Sequence, residues 1–552
     1  MTGRGESSSV LSASGVMALG TLVSRLTGFL RAGLLAAAIG ISLQAEVFNV
    51  ANTIPNSLYI LVAGGVFNAV LVPQLVRAIK NDPDGGDAYA NRVVTLGAVV
   101  LAGVTAVLVL TAPVLLQVMV DRSFFTDPDL AEERESLVDF ARWCMPQIFF
   151  YGMFVLIGQI LNARGRFGPM MWAPIVNNLI SIAVITTYLV AFADQPVEGG
   201  YTTTQEALLG LGSTLGIVAQ TLVLIPYLRA SGFVMRPRFD FRGTGLGHTL
   251  RLGMWTVGFV IVNQLAFYVM VNRATGGAAQ AASGAPGASG FTVYSNAFLL
   301  TQVPHSIVTV SLATATIPLL SRLAADGRLG DVGVEMSRTL RLVLSVLLPF
   351  AVALLVLGPA LATVMFSWGQ AAGDTAPLGT TLIAFAPGLL AFSVHYVVLR
   401  GFYALEDTKT PFFIQCVVAT VNIAFAIGLT SVVAPRHVAP ALALAYGASY
   451  AVGAVVSLGV LSRRLGGVAG AELGHFVIRV VLAAVPAVGA AWLAIAGLRV
   501  GGLDVSSKSD SLVILAVGGL IGLGGYLALA RLLRINEISR IVALVAARGR
   551  RG

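Results

Sequence analysis

The chain has 552 residues, of which 56% are hydrophobic and 11% are charged, and its mean hydropathy is +0.85. Soluble domains carry about 25% charged residues, so this composition indicates a polytopic membrane protein and excludes a soluble multidomain enzyme, a disulfide-knit secreted module and a disordered tail protein. The net charge of +9 is not gathered into a basic stripe with interleaved aromatic residues, so we expect no nucleic-acid partner.

The apolar residues fall into fourteen segments, each long enough to cross the hydrocarbon core as a helix of about 20 residues. In chain order, the predicted spans lie near 12–40, 47–78, 92–119, 137–162, 170–193, 207–229, 249–273, 291–320, 338–366, 380–401, 411–433, 439–461, 474–498 and 511–533. The first segment is too long for a signal peptide and lacks a small-residue cleavage site, so we expect a retained helix. The sequence therefore predicts an all-α membrane protein.

Basic residues indicate which side of the membrane faces the cytoplasm. An even number of spans puts both termini on one side, and most of the 35 Lys and Arg residues then lie in the loops and tail of that side. The opposite side has only Arg122, Arg134, Arg142, Arg273, Arg436, Arg499 and Lys508. The positive-inside rule therefore predicts that both termini are cytoplasmic.

Two motifs recur along the chain at similar offsets. Val72–Arg77 ends the second span and Ile317–Arg322 ends the eighth, an offset of 245 between their prolines. Leu161–Pro169 follows the fourth span and Phe402–Pro411 follows the tenth, an offset of 242 between the final prolines. Such internal repeats are typical of transporter folds, and they predict two six-helix lobes related by a pseudo-two-fold axis along the membrane normal.

The repeat defines the expected domains. The N-terminal lobe is 12–230, the C-terminal lobe is 247–462, helices 13 and 14 occupy 474–533, and 534–552 is a basic cytoplasmic tail. The stretch 274–290 is almost all Gly, Ala and Ser, which predicts a flexible linker on the outer side.

Arg25 and Arg31 are the ionisable residues of the first span. A charge inside a span is costly and usually faces a polar cavity. Six residues of helix place these two side chains about 120° apart around the axis and about 9 Å apart along it. Both guanidinium groups can therefore reach one broad anionic group, such as a pyrophosphate. The alternatives are snorkelling to the inner surface and pairing with Glu46.

Glu46 opens the second span, and we expect it to be the only carboxylate that lies within the membrane. It is followed by Asn49, Asn52 and Asn56, whose spacings of three and four residues put them on one face of a helix. This stripe is either a binding surface or interhelical packing. For Glu46 the alternatives are a structural salt bridge to the Arg pair and proton transfer.

Polar residues are fewer in the later spans. Arg273 is a candidate contact for an anionic headgroup or an interface marker, Asn263 and Asn422 are candidate cation or polar-gate positions, and His305 is a proton carrier or a hydrogen-bonded packing residue. No catalytic constellation, metal-ligand cluster or phosphate-cradling loop can be assembled, so we expect neither an enzyme nor a metal site.

Three motifs, Ser24–Arg31, Ile54–Asn56 and Arg400–Pro411, closely resemble those of the MurJ/MviN family of bacterial lipid II flippases, which is similar to the multidrug/oligosaccharidyl-lipid/polysaccharide exporter superfamily. The resemblance covers nearly the whole chain and points to the actinobacterial type. It implies fourteen helices, in two six-helix lobes plus two, an inner cavity lined by helices 1, 2, 7 and 8, and alternating access.

The resemblance also assigns roles to individual residues. It implies that Arg25 and Arg31 bind the pyrophosphate, that Glu46 occupies the acidic position opening helix 2, and that Asn422 matches a polar position of the family's proposed cation site. Ala426 stands where some members have Asn or Asp. A monovalent cation is therefore the one cofactor that the resemblance leaves open.

Together these features predict a flippase that moves the undecaprenyl-pyrophosphate-linked peptidoglycan precursor, lipid II, from the inner to the outer leaflet of the bacterial cytoplasmic membrane. Its expected partners are this lipid, membrane lipids and cell-wall synthesis proteins. One alternative is a flippase for another lipid-linked glycan or a drug exporter, although an exporter of cationic drugs should display carboxylates in its cavity. The other is a non-transporting scaffold for cell-wall enzymes, which would tolerate substitution of Arg25 and Arg31.

Overall fold

The structure is a computed structural model that describes residues 3–60, 75, 77–79, 82–193, 195, 199–240, 246–285, 287–468 and 470–538, with the backbone alone described for 3–19, 246–253 and 470–471. Most of the described residues are helical, and none of them forms a β-strand. They fall into two compact units: the first contains Met1–Gln264 and Trp368–Gln370, and the second contains Leu265–Ser367 and Ala371–Gly552.

The helices of the first unit follow the predicted order. They are α1 (Gly3–Ile39), α2 (Leu43–Tyr59), α3 (Asp87–Leu110), α4 (Ala112–Met119), α5 (Ser123–Thr126), α6 (Ala131–Cys144), α7 (Gln147–Ala163), α8 (Gly168–Ala191), α9 (Thr203–Glu206), α10 (Gly212–Leu222) and α11 (Leu224–Ala230). A short π-helical segment, Ala207–Leu211, joins α9 to α10. Helix α12 (Leu246–Ala279) begins in the first unit and ends in the second.

The second unit continues with eight further helices among the described residues. They are α13 (Phe291–Pro304), α14 (Ser311–Ala325), α15 (Leu329–Phe366), α16 (Ala376–Ala404), α17 (Lys409–Thr430), α18 (Val438–Leu465), α19 (Gly470–Val500) and α20 (Lys508–Leu532). A π-helical segment, His305–Val310, separates α13 from α14.

Thirteen helical stretches of the described residues are long and apolar enough to cross a membrane. They coincide with thirteen of the fourteen predicted spans, which are therefore confirmed. The remaining span, 47–78, begins as α2, and most of its second half lies outside the described residues. The lobe boundaries 12–230 and 247–462, helices 13 and 14 as an addition at 474–533, the tail 534–552 and the axis between the lobes stay predictions.

The prediction of a flexible linker at 274–290 is wrong for the residues that belong to α12. Helix α12 continues to Ala279, and Thr275 and Ser289 are buried. The residues are small because the chain packs closely: a Cβ on Gly277 would lie 2.6 Å from the carbonyl oxygen of Ser289 and 2.7 Å from Cβ of Val438. Gly and Ala here serve close packing instead of chain flexibility.

The connection that follows α11 is also ordered. Phe233 is buried in the core of the first unit. The Asn91 side chain donates to the carbonyl oxygen of Val234 at 3.2 Å and accepts from the amide of Arg236 at 2.6 Å. Arg92 and Asp240 form an ion pair with a nitrogen-oxygen distance of 2.6 Å. Residues 233–240 therefore run along the start of α3 in an extended conformation.

Arg164 belongs to the repeated motif Leu161–Pro169, and it has a structural role. Its guanidinium forms an ion pair with Asp87, donates to the carbonyl oxygen of Ser231 at 3.1 Å and lies over the ring of Phe233. This arginine therefore ties the end of α7 to the beginning of α3 and to the segment after α11.

In the second unit, α16 and α18 are in backbone contact at two glycines. A Cβ on Gly388 would lie 3.1 Å from Cα of Gly447, and a Cβ on Gly447 would lie 3.3 Å from Cα of Gly388. Small residues at a crossing let helix backbones touch, which favours association of helices in lipid. Helices α19 and α20 pack on α15, where the Tyr526 hydroxyl donates to the carbonyl oxygen of Ser345 at 2.6 Å.

We expect Gly388→Val to destabilise the second unit by about 1 to 3 kcal/mol, because the branched side chain would push two touching backbones apart. Thermal unfolding of the purified full chain in detergent measures the effect. Gly428→Val is the matched control, since a Cβ on Gly428 in α17 would meet no atom within 4 Å. Equal midpoints for the two variants would contradict the assignment of this crossing.

Candidate functional site

The two arginines of the first span lie on α1 in the first unit. Arg25 is exposed and Arg31 is half-buried. Helix α1 packs against α8, and a Cβ on Gly20 would lie 2.9 Å from Nε1 of Trp172. Leu26 and Leu30 are exposed, so they lie on the side of α1 that does not pack against α8.

A single asparagine fixes α1 beside Arg25. Asn178 of α8 is buried, and its side-chain nitrogen donates to the carbonyl oxygen of Ser24 at 2.9 Å and to Oγ1 of Thr27 at 3.0 Å. Thr27 in turn donates to the carbonyl oxygen of Val23 at 2.9 Å. The backbone on both sides of Arg25 is thereby held, while its own side chain stays accessible.

Arg31 is accompanied by aromatic residues. It lies near Tyr151 of α7. The Tyr151 ring stacks on Tyr59 at the end of α2, with a centroid distance of 4.8 Å. The first unit therefore brings the guanidinium of Arg31 to a tyrosine pair, whose hydroxyl groups can donate hydrogen bonds to an anion.

The asparagine stripe lies on α2, so Asn49, Asn52 and Asn56 project from one face. Asn49 and Asn52 are half-buried and Asn56 is exposed, whereas most other residues of α2 are buried. Asn52 accepts a hydrogen bond from Nε2 of Gln147 at 2.9 Å. The Asn52 hydrogen bond therefore joins α2 to α7. Asn56 is the most exposed of the three asparagines.

Glu46 is 1% exposed, in the first turn of α2. That Glu46 is the only carboxylate within a span stays a prediction. Glu133 and Glu206 are also buried, with 6% and 5% exposure, near the beginnings of two membrane-length helical stretches. These stretches begin earlier than their apolar residues indicate. The signal was present for Glu206, since Thr202 and Gln205 form a capping box that starts the helix before the apolar run.

Two of the remaining candidates belong to the second unit. Arg273 of α12 donates through Nε to Oγ1 of Thr430 at 3.0 Å, and Asn422 of α17 donates to Oγ of Ser449 at 3.3 Å. Both contacts join neighbouring helices. Asn263 is half-buried in the first unit, next to Gln264, whose side chain donates to the carbonyl oxygen of Ser57 at 2.7 Å.

His305 is packed among aromatic residues in the second unit. Its Nδ1 lies 2.9 Å from Oγ of Ser393, and its ring lies 4.5 Å from that of Phe392 and 5.1 Å from that of Tyr396, between centroids. These contacts favour the packing role over that of a proton carrier.

Comparison with known proteins decides the family. The family model described as lipid II flippase MurJ matches residues 35–502. The chain belongs to the MurJ family. Arg25 and Arg31 lie just before the matched range, so their assignment depends on the Ser24–Arg31 motif. The resemblance found in the sequence is thereby confirmed at the level of the family.

Individual relatives agree with the family model. The chain is 29% identical over 435 residues to a probable lipid II flippase MurJ of Rhizobium tropici, covering 77% of this chain and 76% of the relative. It is 26% identical to a probable lipid II flippase MurJ of Haemophilus influenzae, covering 73% and 78%.

Solved structures show the same fold. A lipid II flippase MurJ in an inward closed conformation matches with a TM-score of 0.70 at 17% identity, covering 94% of this chain and 99% of that chain. An inward-facing multidrug resistance MATE family transporter of the MOP superfamily matches with a TM-score of 0.63 at 13% identity, covering 80% and 95%. Both proteins are transporters, and neither comparison points to an enzyme.

Asn178→Leu should lower the free energy of unfolding by about 1 to 2 kcal/mol, because it removes two buried hydrogen bonds to α1. Thermal unfolding of the purified protein measures this loss. The neighbouring variant Leu179→Ala provides the control, since Leu179 is exposed. An Asn178→Leu midpoint equal to that of the control would show that Asn178 does not hold α1 in place.

Proposed function

We propose that the protein flips lipid II, the undecaprenyl-pyrophosphate-linked peptidoglycan precursor, from the inner to the outer leaflet of the bacterial cytoplasmic membrane by alternating access. Membership of the MurJ family supports this proposal. The protein is a multi-pass membrane transporter, and the distribution of basic residues favours cytoplasmic termini.

The observation that carries the proposal is a pair of cations within a membrane span that no described carboxylate neutralises. Arg25 and Arg31 lie in the stretch Gly20–Ile39. Among the side chains that the structure describes, neither arginine forms an ion pair. Charge within a span costs several kcal/mol unless something compensates for it. An anionic substrate that visits this part of the membrane supplies that compensation.

The chemistry of the two side chains fits a pyrophosphate. A guanidinium presents a planar fork of donors that binds phosphate oxygens in bidentate fashion. About 9 Å of helix separates the two residues along the axis, so the headgroup can pass from one guanidinium to the next while the prenyl chain stays in lipid. The Tyr59 and Tyr151 pair beside Arg31 adds neutral donors that do not repel the sugar-bearing part of the substrate.

Replacing either arginine by alanine should abolish the ability of the protein to support growth, because each replacement removes half of the charge that compensates the pyrophosphate. The measurement is complementation of a bacterium depleted of its lipid II flippase, with membrane expression of each variant matched to wild type. Arg25→Lys and Arg31→Lys keep the charge but lose the fork, and we expect partial rescue from both.

The same experiment separates the alternatives. Rescue by wild type and by both alanine variants would retain the flippase and refute this site. Failure of a well-expressed wild type would favour a different lipid-linked substrate, or a scaffold for cell-wall enzymes that acts without transport.

The driving force follows from the charge of the headgroup. An inside-negative potential contributes about 2.3 kcal/mol per charge per 100 mV toward moving an anion outward. Ala426 provides no oxygen ligand beside Asn422, so we infer that the potential, and not a sodium gradient, drives outward flipping.

Collapsing the potential with valinomycin and potassium in proteoliposomes should therefore reduce outward flipping of fluorescent lipid II, whereas replacing sodium by choline should not. Asn422→Ala is a useful companion variant, and we expect it to flip at the wild-type rate. Flipping that needs sodium and is lost in Asn422→Ala would instead establish a cation site.

A further inference from the structure

The motif Arg400–Pro411 ends α16, and several of its residues have a structural role. Phe402 is fully buried. Asp407 forms an ion pair with Arg464 and accepts from the amide of Thr410 at 2.9 Å, while Arg464 also donates to Oγ1 of Thr410 at 2.8 Å. These contacts hold the turn between α16 and α17. Arg400 takes no part in them.

Arg400 is instead held on two aromatic rings. Its guanidinium carbon lies 4.1 Å from the ring centroid of Tyr396 and 5.6 Å from that of Tyr403. Its side chain is half-buried. Its Nε is buried and has no hydrogen-bond partner, and within the described part of the chain Arg400 forms no ion pair.

The neighbours of Arg400 that the structure identifies carry no negative charge. His305, whose ring packs on Tyr396, is near enough to interact electrostatically with Arg400, but it is neutral or positive. The hydroxyl groups of Tyr396 and Tyr403 make no hydrogen bond to any described residue. One guanidinium and two phenol groups therefore lie together with several hydrogen-bond donors, and no carboxylate among the described residues is paired with Arg400.

The depth of Arg400 suits a lipid phosphate. It lies four residues before the end of α16 at Ala404, which is about 6 Å along the helix axis. In the orientation proposed above, this end of α16 is cytoplasmic. The donors are therefore near the level at which phosphate groups of the inner leaflet lie.

The predicted internal repeat indicates that this arginine is not common to the two halves. With the offset of 242 that relates the two motifs, the counterpart of Arg400 in the first half is Gly158. A Cβ on Gly158 would lie 2.8 Å from Sδ of Met170, so a side chain there would displace that methionine. The cation is specific to the second half of the chain.

We propose that Arg400, Tyr396 and Tyr403 form a binding site for a phosphate-bearing lipid headgroup on the cytoplasmic side of the second unit, and that its ligand is the pyrophosphate of the flipped substrate. This inference rests on the proposed function. The site captures the headgroup in the inner leaflet: the guanidinium compensates the charge and the two phenol groups donate to the remaining oxygens.

Binding to the full chain in nanodiscs tests the site, with lipid II and phosphatidylglycerol as separate probes. We expect Arg400→Gln to raise the Kd for lipid II about ten- to hundredfold, as is typical of losing hydrogen bonds to a charged group. Phosphatidylglycerol binding should be unchanged. Arg463→Gln, an exposed arginine near the end of α18, removes the same charge and should bind lipid II as wild type does.

Two further variants distinguish binding from folding. Arg400→Lys keeps the charge and should lose less affinity than Arg400→Gln, and Tyr403→Phe removes one donor and should weaken binding severalfold. Equal losses in the Lys and Gln variants, together with a lowered unfolding temperature, would mean a structural role and overturn the proposal.

Three other outcomes would overturn or reassign the site. Wild-type affinity in Arg400→Gln would overturn this site while leaving the flippase intact, provided that the wild type binds and flips lipid II. Loss of phosphatidylglycerol binding with unchanged lipid II binding would assign the site to a membrane phospholipid instead. A wild type that neither binds nor flips lipid II would overturn the proposed function and this inference with it.

Discussion

The low dielectric of the hydrocarbon core is the constraint on which this structure depends. A backbone amide or a charge that finds no partner there costs several kcal/mol. The spans are therefore helices, and most polar side chains within them are paired. Asn178 bonds to α1, Gln147 to Asn52, and Arg273 to Thr430. Against this background, an arginine that forms no ion pair with the described side chains stands out as a functional group.

Arg25, Arg31 and Arg400 are among the arginines that fit that description, and they divide between the two units. Arg25 and Arg31 lie in the first unit, and Arg400 lies in the second. Each is held by different means: Arg25 by the fixed backbone around it, Arg31 beside stacked tyrosines, and Arg400 on the faces of two tyrosine rings. Aromatic contact stabilises a cation without neutralising it, which leaves the guanidinium available for an anionic headgroup.

Close packing in lipid depends on small residues, because apolar side chains gain little by leaving one hydrocarbon phase for another. The touching glycines Gly388 and Gly447 and the tight contact at Gly277 follow from this rule. The same residues misled the sequence interpretation at 274–290. A run of Gly, Ala and Ser is typical of both a flexible linker and a closely packed helix, and only the neighbours of the segment distinguish them.

The sequence by itself determined the membrane class, thirteen of the spans, the family and the arginines of α1, because hydropathy, charge and short motifs are local properties of the chain. It could not place Glu133 and Glu206 inside membrane-length helices, because their burial depends on how far each helix extends and what packs on it. It also gave no reason to separate Arg400 from the rest of its motif. Only the tertiary structure decided that Asp407 has Arg464 as its partner and that Arg400 lies on tyrosine rings with no described carboxylate paired to it, since partners distant in sequence are chosen by packing.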